Sequence, residues 1–500
     1  MRVSPFQGAL DLAAALDRRE VSSVELVDEA IARIERFDGQ INAVVVRDFD
    51  RARETAKAAD ERRDRGERRP LLGVPMTVKE SYNVVGLPQT WGFKEYANSC
   101  AQEDAVTVSR LKAAGAIILG KTNVPVALAD WQSFNDIYGL TRNPWNLDCS
   151  PGGSSGGSAA ALAAGYVPLE LGSDIGGSIR VPAHFCGVFG HKATYGLIPG
   201  RGQALPGVTR SSDLSVCGPL ARTAADLELA LGILAGPDAE MATAYRLALP
   251  APRHAELREF RVLVIDEHPL VPTRQEIRAA VLACATRLAA SGAKVAYSSP
   301  LVPDLAEAGR VYIQLLGAET SLRQPPEQRQ KLAERAAMLD PNDQSLRALR
   351  IRTPNLSHAE WIALDERRMR IRAQWRALFE VFDVVLSPPL SIEAYPHDTS
   401  TAHDSQQVDI DGQPVTLIDQ LVWPGVATLG ALPATVAPIG RTAAGLPLGL
   451  HIMGAQFDDL TTIAVAGLIE REFGGFRAPP PAAYATRQVG GDVPGPRSFN

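Results

Sequence analysis

The segment PGGSSGGSAAALAAGYVPLELGSDIGGSIR, residues 151–180, decides how this chain folds. Its alanine-rich run over Ser155–Ala164, which Gly165 ends, predicts a helix, and Tyr166–Leu171 predicts an extended segment. Strand and helix patterns alternate in the same way on both sides of this segment. The alternation predicts an α/β fold with a central mixed β-sheet covered by helices on both faces.

Apolar periodicity places further elements along the chain. Three Ser/Thr-x-x-Glu patterns, which begin at Ser22, Thr273 and Ser357, each predict a capped helix start. A short strand over 71–78 carries Lys79 at its end. Further elements predicted from the pattern are helices over 22–38, 49–66 and 104–114, strands over 116–119 and 434–439, and one β-α-β unit over 262–297.

The C-terminal half has a different composition. Residues 324–382 are charge-rich and helical in pattern, whereas residues 388–424 are rich in Pro, Asp, Ser and His, which is typical of a loop. No linker separates the predicted strands and helices, so we expect a single domain. The predicted boundaries are 1–482 for the domain, 70–220 for its core region, about 300–425 for a helical and loop-rich subregion, and 483–500 for a C-terminal tail.

Composition restricts the function. The chain has 500 residues, of which 45% are hydrophobic and 22% charged, as is typical of a soluble globular protein. Its 51 basic and 57 acidic residues give a net charge of -6 without long runs of one sign, so we expect neither a nucleic-acid partner nor a membrane partner. No stretch approaches the roughly 20 apolar residues of a membrane span, and Asp11 and Asp17 interrupt any signal-like core, so we expect a cytoplasmic protein.

The cysteines are too few and too scattered for a disulfide framework. They form no CxxC pair and accompany no His cluster at metal-ligand spacing. We therefore expect reduced, mostly buried thiols, no metal and no other cofactor. The five residues are Cys100, Cys149, Cys186, Cys217 and Cys284.

Two matches to catalytic motifs fail the test of context. Gly115–Thr122 matches the phosphate-loop pattern GxxxxGK[ST], but Ala116–Leu119 is apolar and Pro125 follows where a helix should begin. Gly152–Gly156 matches the nucleophile-elbow pattern GxSxG, but a turn-rich loop precedes it where that motif requires a strand. We expect neither a nucleotide site nor a Ser-His-Asp hydrolase centred on Ser154.

The glycine-serine turn at 172–180 can present successive backbone N–H groups beside the Ser178 hydroxyl, as an oxyanion site requires. Serine is a weak nucleophile at its ordinary pKa and needs an adjacent base. His184 and His191 are nearby candidates, but no Asp or Glu at a diagnostic position marks an orienting partner. Lys79 is the stronger candidate, because an apolar strand carries it inward and burial lowers the pKa of a lysine. An exposed lysine at a strand end remains the alternative.

Together, Lys79, Ser154 and Ser178 resemble the Ser-cisSer-Lys triad of the amidase signature family. The resemblance extends over most of the chain, and its strongest motifs are VPMTVKE at 74–80, GGSSGGS at 152–158 and GSDIGGSIR at 172–180. It implies the amidase signature fold. It also implies that Ser178 is the nucleophile, that Ser154 on a cis peptide bond relays a proton, and that neutral Lys79 is the base.

The same resemblance assigns roles around the triad. Four consecutive backbone N–H groups would hold the oxyanion, those of Ile175, Gly176, Gly177 and Ser178. Three side chains match positions that brace the site, Ser155, Asp174 and Arg180. Three departures from the family's pattern lie outside the triad and bear on substrate preference, Glu80, Val126 and Ala193.

The implied activity is hydrolysis of a small-molecule amide, anilide or carbamate by a monomer or homodimer, with room for esterase or urethanase side activity. The alternative is the A subunit of a glutamine-dependent tRNA amidotransferase, which shares the triad. Such subunits resemble GSIRQP after the nucleophile, whereas Val181 here offers no polar anchor for glutamine, and the acidic balance offers no surface for tRNA. A binding protein without catalysis would require a broken triad, and none of the three residues is replaced.

The substrate pocket is predicted from residues that lie near the triad in sequence or on irregular segments. Aromatic candidates for its walls are Trp131, Phe134, Tyr138 and Trp423. The loops over 205–214 and 391–423 are further candidates.

Overall fold

The computed structural model describes residues 3–321, 326–401, 403–484 and 497–498. The described strands are β1 (Val44–Arg47), β2 (Pro75–Lys79), β3 (Ile117–Thr122), β4 (Phe134–Asn135), β5 (Gly139–Leu140), β6 (Leu169–Asp174), β7 (Phe189–Lys192), β8 (Val216–Ala221), β9 (Arg261–Val264), β10 (Lys294–Ala296), β11 (Val384–Ser387), β12 (Gln407–Ile410), β13 (Gln413–Thr416), β14 (Ala434–Arg441), β15 (Pro447–Met453) and β16 (Arg497–Ser498). Twelve of them form one mixed sheet in the order β10-β9-β11-β15-β14-β7-β8-β6-β2-β3-β1-β16. The strands β4 and β5 form one separate hairpin, and β12 and β13 form another.

Helices cover both faces of this sheet, as predicted. The described α-helices are α1 (Ala9–Asp17), α2 (Ser23–Ile41), α3 (Phe49–Asp64), α4 (Val106–Ala113), α5 (Gly156–Ala163), α6 (Arg180–Cys186), α7 (Ala224–Leu234), α8 (Gln275–Ala290), α9 (Leu305–Ser321), α10 (Pro326–Ala337), α11 (Leu346–Arg352), α12 (His358–Val381), α13 (Val422–Leu429) and α14 (Asp459–Phe473). Along β3, Ile117 and Leu119 pack into one apolar core and Ile118 into another, because alternate side chains of a strand point to opposite faces. The first core includes α2, α3 and α5, and the second includes α1, α4, α7, α8 and α14.

Most elements predicted from periodicity are present, with ends shifted by a few residues. Capping boxes at Ser22 and Ser357 begin α2 and α12, and β9 and β10 form the predicted parallel pair around α8. The predicted cap at Thr273 is wrong. The helix α8 begins at Gln275 without a side-chain cap, and the Thr273 hydroxyl instead accepts a hydrogen bond from Trp423 Nε1 at 3.2 Å.

The C-terminal half contains the predicted helical region, which lies between β10 and β11. The helices α9, α11, α12 and α13 share an apolar core with β11 and β15. The predicted loop over 388–424 is partly wrong, because β12 and β13 form a hairpin inside it and α13 begins at Val422. The hairpin turns at Asp411 and Gly412, whose φ angles are 51° and 84°. An Asp-Gly pair with two positive φ angles is a common hairpin signal.

Part of the predicted tail packs against the body. The buried ring of Tyr484 meets Phe37 edge to face, and its hydroxyl accepts a hydrogen bond from Arg33 at 3.2 Å. The short strand β16 pairs with β1. The rest of the tail predicted over 483–500 lies outside the described residues. Within the described ranges, no helix is long and apolar enough to cross a membrane.

Candidate active site

Two neighbouring strands bring Lys79 and the second serine turn together. The strands β2 and β6 are parallel and adjacent, with Val78 opposite Leu171. Because the carboxyl ends of parallel strands meet at one edge of a sheet, Lys79 at the end of β2 lies beside Ser173 in β6. The chain then leaves β6 through the turn that carries Ser178, just before α6.

Lys79 is fully buried among oxygen atoms. Its Nζ lies 2.7 Å from Ser154 Oγ, 3.0 Å from Ser173 Oγ and 3.4 Å from the Ser173 carbonyl oxygen. Burial lowers the pKa of Lys79 to about 7, although the charge of Asp174 opposes this shift. At pH 7 about half of the side chains are therefore neutral amines, each with two N–H donors and one lone pair. The alternative of an exposed strand-end lysine does not apply.

The first serine turn, which precedes α5, is tied to the second. The peptide bond between Gly153 and Ser154 is cis. Ser155 N donates to the Ser178 carbonyl oxygen at 3.1 Å, and Ser155 Oγ donates to the Ser173 carbonyl oxygen at 3.4 Å. These two bonds hold the serine turns side by side, with Ser154 between Lys79 and the cavity described below.

The carboxylate of Asp174 organises the second turn. It accepts backbone hydrogen bonds from Gly177 at 3.0 Å, Ile179 at 3.0 Å and Arg180 at 3.3 Å. It also accepts side-chain hydrogen bonds from Arg180 Nε at 3.0 Å and Nη2 at 2.8 Å. Burial alone would raise the pKa of Asp174, but Arg180 and these hydrogen bonds hold it well below its ordinary value. Of the four predicted oxyanion donors, Gly177 N–H thus already has a partner.

Two side chains hold the turn from outside. The hydroxyl of Tyr312 donates to the Ile175 carbonyl oxygen at 2.8 Å, and Trp131 Nε1 donates to the Gly176 carbonyl oxygen at 3.0 Å. In a trans peptide the C=O and N–H groups point in opposite directions. The N–H of Gly176 therefore points away from Tyr312. The φ angle of 91° at Gly177 lies in the left-handed region, which favours glycine at this position.

The two histidines that follow the second turn in sequence are engaged elsewhere. His184 Nδ1 accepts a hydrogen bond from Gly449 N at 2.7 Å, so its Nε2 donates to a backbone carbonyl oxygen at 3.1 Å. Burial lowers the pKa of His184 to about 4. His191 contacts Thr435 Oγ1 at 2.9 Å and Asp459 Oδ1 at 3.0 Å. Both ring nitrogens of each histidine thus have partners outside the serine turns.

The structure also shows where the phosphate-loop match and the nucleophile-elbow match lie. Lys121 of the phosphate-loop match lies inside β3, is fully buried and donates a hydrogen bond to the Pro88 carbonyl oxygen. Ser154 of the nucleophile-elbow match follows a loop, not a strand. Neither segment has the backbone that its motif requires.

A cavity that opens to solvent, about 180 Å³ in volume, lies above the serine turns. Apolar side chains form most of its walls, around a floor of serine hydroxyls. The described residues that line it are Trp91, Ala127, Leu128, Ala129, Asp130, Trp131, Ser154, Ser173, Ile175, Gly176, Ser178, Gln203, Ser212, Ser215, Leu316, Thr320, His403, Ile418 and Leu421. This set draws on both predicted wall segments, 205–214 and 391–423.

Of the four predicted aromatic wall residues, Trp131 lines the cavity. The structure places the other three outside the lining formed by the described residues. Phe134 lies in the small hairpin of β4 and β5, and the Tyr138 hydroxyl donates to Glu80 Oε1 at 3.2 Å. Trp423 belongs to α13, and its side chain is buried in the apolar core of the C-terminal half.

Several residues around the serine turns have no counterpart in the sequence prediction. Gln203 Nε2 donates to Ser173 Oγ at 3.1 Å and to Ser81 Oγ at 3.3 Å, next to Lys79. Ser173 could have been found from its place in the GSD motif at the end of a predicted strand. Tyr312 and Gln203 had no such signal, because each lies on an irregular or distant segment and meets the turn only in the folded chain.

Fold and sequence comparison together define the class of this protein. A sequence model of the amidase family matches residues 25–463. The chain belongs to the amidase signature family, as the resemblance of its serine and lysine motifs implies.

Individual relatives differ in their named activities. The chain is 36% identical over 480 residues to the A subunit of glutamyl-tRNA(Gln) amidotransferase from Roseiflexus sp. (strain RS-1), covering 92% of this chain and 95% of the relative. It is 30% identical over 499 residues to fatty-acid amide hydrolase 2-A of Danio rerio, covering 94% and 89%. A solved bacterial aryl acylamidase of the amidase signature family superposes with a TM-score of 0.79 at 26% identity, over 97% of this chain and 100% of the other.

Proposed function

We propose that the chain hydrolyses small amides, anilides or carbamates through an acyl-enzyme on Ser178. One observation carries the proposal: the buried amine of Lys79 lies 2.7 Å from Ser154 Oγ, beneath a cavity that Ser154 and Ser178 both line. The pKa of Lys79, which burial lowers to about 7, supports its use as a base near neutral pH.

In the proposed mechanism, Lys79 accepts the proton of Ser154 while Ser154 accepts that of Ser178. The Ser178 oxygen attacks the carbonyl carbon of the substrate, whose oxygen becomes an oxyanion. The proton then returns through Ser154 to the leaving nitrogen, so the amine departs and an ester remains on Ser178. A water molecule, deprotonated by the same relay, hydrolyses this ester and releases the acid.

The proposed oxyanion donors are the backbone N–H groups of Ile175, Gly176 and Ser178. Gly177 is left out of the set, because its N–H donates to Asp174 at 3.0 Å. The contacts of Tyr312 and Trp131 with the turn support a fixed orientation of these peptide groups. Removing one oxyanion donor typically raises the barrier by about 2.7–4 kcal/mol.

The cavity lining supports a substrate with apolar groups on at least one side of the scissile bond. Trp91, Trp131, Leu316 and Ile418 are among its walls. Lys and Arg are absent from the described lining, so a carboxylate on the substrate would have no permanent positive charge to meet.

The second candidate is the A subunit of a glutamine-dependent amidotransferase, which would release ammonia from glutamine and work with partner subunits. Sequence similarity favours it, because the relative that is 36% identical over 480 residues has this name. The lining argues against it, since the α-carboxylate of glutamine calls for a cationic partner. Val181, which replaces the Gln of the GSIRQP pattern, is buried in an apolar cluster with Trp131 and Phe185.

A single panel separates the two candidates. Wild-type protein and the Ser178→Ala variant are incubated with primary amides, anilides, aryl carbamates and L-glutamine, and released acids and amines are followed by mass spectrometry. Acid and amine from the apolar substrates with wild type alone are the expected result. Ammonia from glutamine without any other product would favour the amidotransferase reading. Folded wild type that releases nothing, and that a fluorophosphonate does not label, would reject the hydrolase.

A further inference from the structure

The described lining of the cavity above the serine turns contains one carboxylate and one imidazole, and its other side chains are uncharged. Among the described residues of the lining, Asp130 is the one acid, and its partner is His403. His403 Nδ1 lies 3.4 Å from Asp130 Oδ1 and makes no hydrogen bond with the described residues. Asp130 lines the cavity, and 23% of its side-chain surface is exposed to solvent.

Backbone contacts place Asp130 next to the reacting groups. Residues 130–132 run alongside the first serine turn, where Gln132 forms a bridge with Gly152. A Cβ on Gly153 would overlap the Asp130 carbonyl oxygen, so the two backbones touch at the residue before Ser154. The neighbouring Trp131 reaches the second turn through its hydrogen bond with Gly176.

Two hydrogen bonds between the Gln132 side chain and the Asp398 backbone, which we call the clamp, hold the segment of His403 close to Asp130. Gln132 Oε1 accepts from Asp398 N at 2.7 Å, and Gln132 Nε2 donates to the Asp398 carbonyl oxygen at 2.9 Å. The Asp398 carboxylate in turn accepts from Ser400 N and Thr401 N, both at 3.0 Å. The buried Gln132 thereby ties the segment that ends at His403 to the segment that begins at Asp130.

A carboxylate in a cavity with apolar walls distinguishes ligands by their charge. The Asp130 side chain also accepts from Gln132 N at 3.0 Å, which fixes its direction. Apolar walls weaken solvent screening, so an ammonium group near Asp130 gains more than it would in water, and a second carboxylate is repelled.

We propose that the Asp130 carboxylate is the selectivity element of the cavity, and that the preferred amide carries an amine at the end remote from the scissile bond. The inference rests on the proposed function for the scissile bond and adds the charge of the substrate. Amides that end in a carboxylate are the disfavoured class.

The test measures binding without turnover. Ser178→Ala protein is titrated by calorimetry at pH 8, about four units above the ordinary pKa of an aspartate, because burial raises the pKa of Asp130. The ligands are three anilides whose five-carbon acyl chains end in a methyl, an ammonium or a carboxylate. A second series of three benzamides carries the same ends on the amine side. In at least one series the ammonium ligand should bind about tenfold more tightly than the methyl ligand.

Variants identify the source of the preference. Asp130→Asn, made in the Ser178→Ala background, keeps an acceptor for Gln132 N and should bring the three ligands within about twofold of one another. Asp136→Asn removes an exposed carboxylate that pairs with Lys94 at 2.9 Å, and should leave the preference unchanged. His403→Gln should also leave it, because the charge belongs to Asp130.

The inference is overturned if the ammonium ligands bind no better than the methyl ligands in both series, including the case in which none binds. It is overturned equally if the preference survives in Asp130→Asn. Turnover is measured separately with wild-type protein. Inactive wild type that still shows the binding order would count against the proposed function and leave the charge selectivity standing.

Discussion

The two sides of the cavity are built in opposite ways. The signature face, which we define as Lys79, the first serine turn (152–158) and the second serine turn (172–180), depends on strand ends and on hydrogen bonds between near neighbours, such as Asp174 with Arg180. The outer wall, which we define as residues 398–401 and 403–421, is attached by contacts between residues 266 positions apart, such as Gln132 with Asp398. Each group proposed for the chemistry thus lies in a short sequence motif, whereas the contacts of the outer wall join residues that share no motif.

The largest effect is expected on the signature face. Ser178→Ala removes the proposed nucleophile and should lower kcat by roughly 10⁴–10⁶-fold. The fold should persist, because the backbone N–H and C=O groups of residue 178 remain. Steady-state rates on the best substrate of the panel, with a thermal melt of the same samples, check both points. Retention of more than a tenth of wild-type activity would remove Ser178 from the proposed mechanism.

Loss of the lysine should come next in size. Lys79→Met keeps an apolar chain of similar length but no base, and should lower kcat by about 10²–10⁴-fold. In wild type, protonated Lys79 cannot accept a proton, so kcat/KM should rise with pH and level off above a midpoint set by its pKa of about 7.

A second buried lysine provides the matched control for this pH profile. Burial also lowers the pKa of Lys192 to about 7, but its Nζ donates to the Leu432 carbonyl oxygen at 2.9 Å, outside the described cavity lining. Lys192→Met should keep the rise near pH 7. If that rise disappears in Lys192→Met and remains in Lys79→Met, the assignment of the base to Lys79 is wrong.

The difference between the signature face and the outer wall also explains which parts of the structure could be predicted from the sequence. Lys79, Ser154 and Ser178 were predicted together because each lies in a short motif at the end of a predicted strand or helix. The alternating elements of the sheet were predicted because periodicity is a local property. The contact of Tyr312 with Ile175, 137 residues away, has no local signal.

Errors on the outer wall have physical causes of the same kind. The segment 388–424 has the composition of a loop, yet Asp411-Gly412 turns part of it into a hairpin. Trp423 was expected to line the cavity because it lies on an irregular segment, but α13 turns it into the core. Local composition cannot distinguish an aromatic residue that faces a cavity from one that packs beneath it.

Breaking the brace of the signature face should mainly affect stability. Asp174→Asn leaves the buried guanidinium of Arg180 without its charged partner, which should lower the free energy of unfolding by about 3–5 kcal/mol. Urea unfolding at pH 7 measures this difference. Because the folded-state pKa of Asp174 is depressed, its contribution is present above the ordinary pKa of about 4 and is lost as the pH falls through the lower folded-state value. A difference that stays constant down to pH 2 would contradict the role of the charge.

The smallest effect is expected when the outer wall is detached from the signature face. Gln132→Ala removes both hydrogen bonds to the Asp398 backbone and should let the outer wall move away from Asp130. Since Lys79 and the serine turns keep their own contacts, kcat should change less than about threefold, while KM rises about tenfold. Gln132→Glu keeps the acceptor for Asp398 N and should lie between wild type and Gln132→Ala. A fall in kcat at unchanged KM would mean that the clamp supports the signature face itself, and the division of the cavity into a chemical side and a selective side would then be wrong.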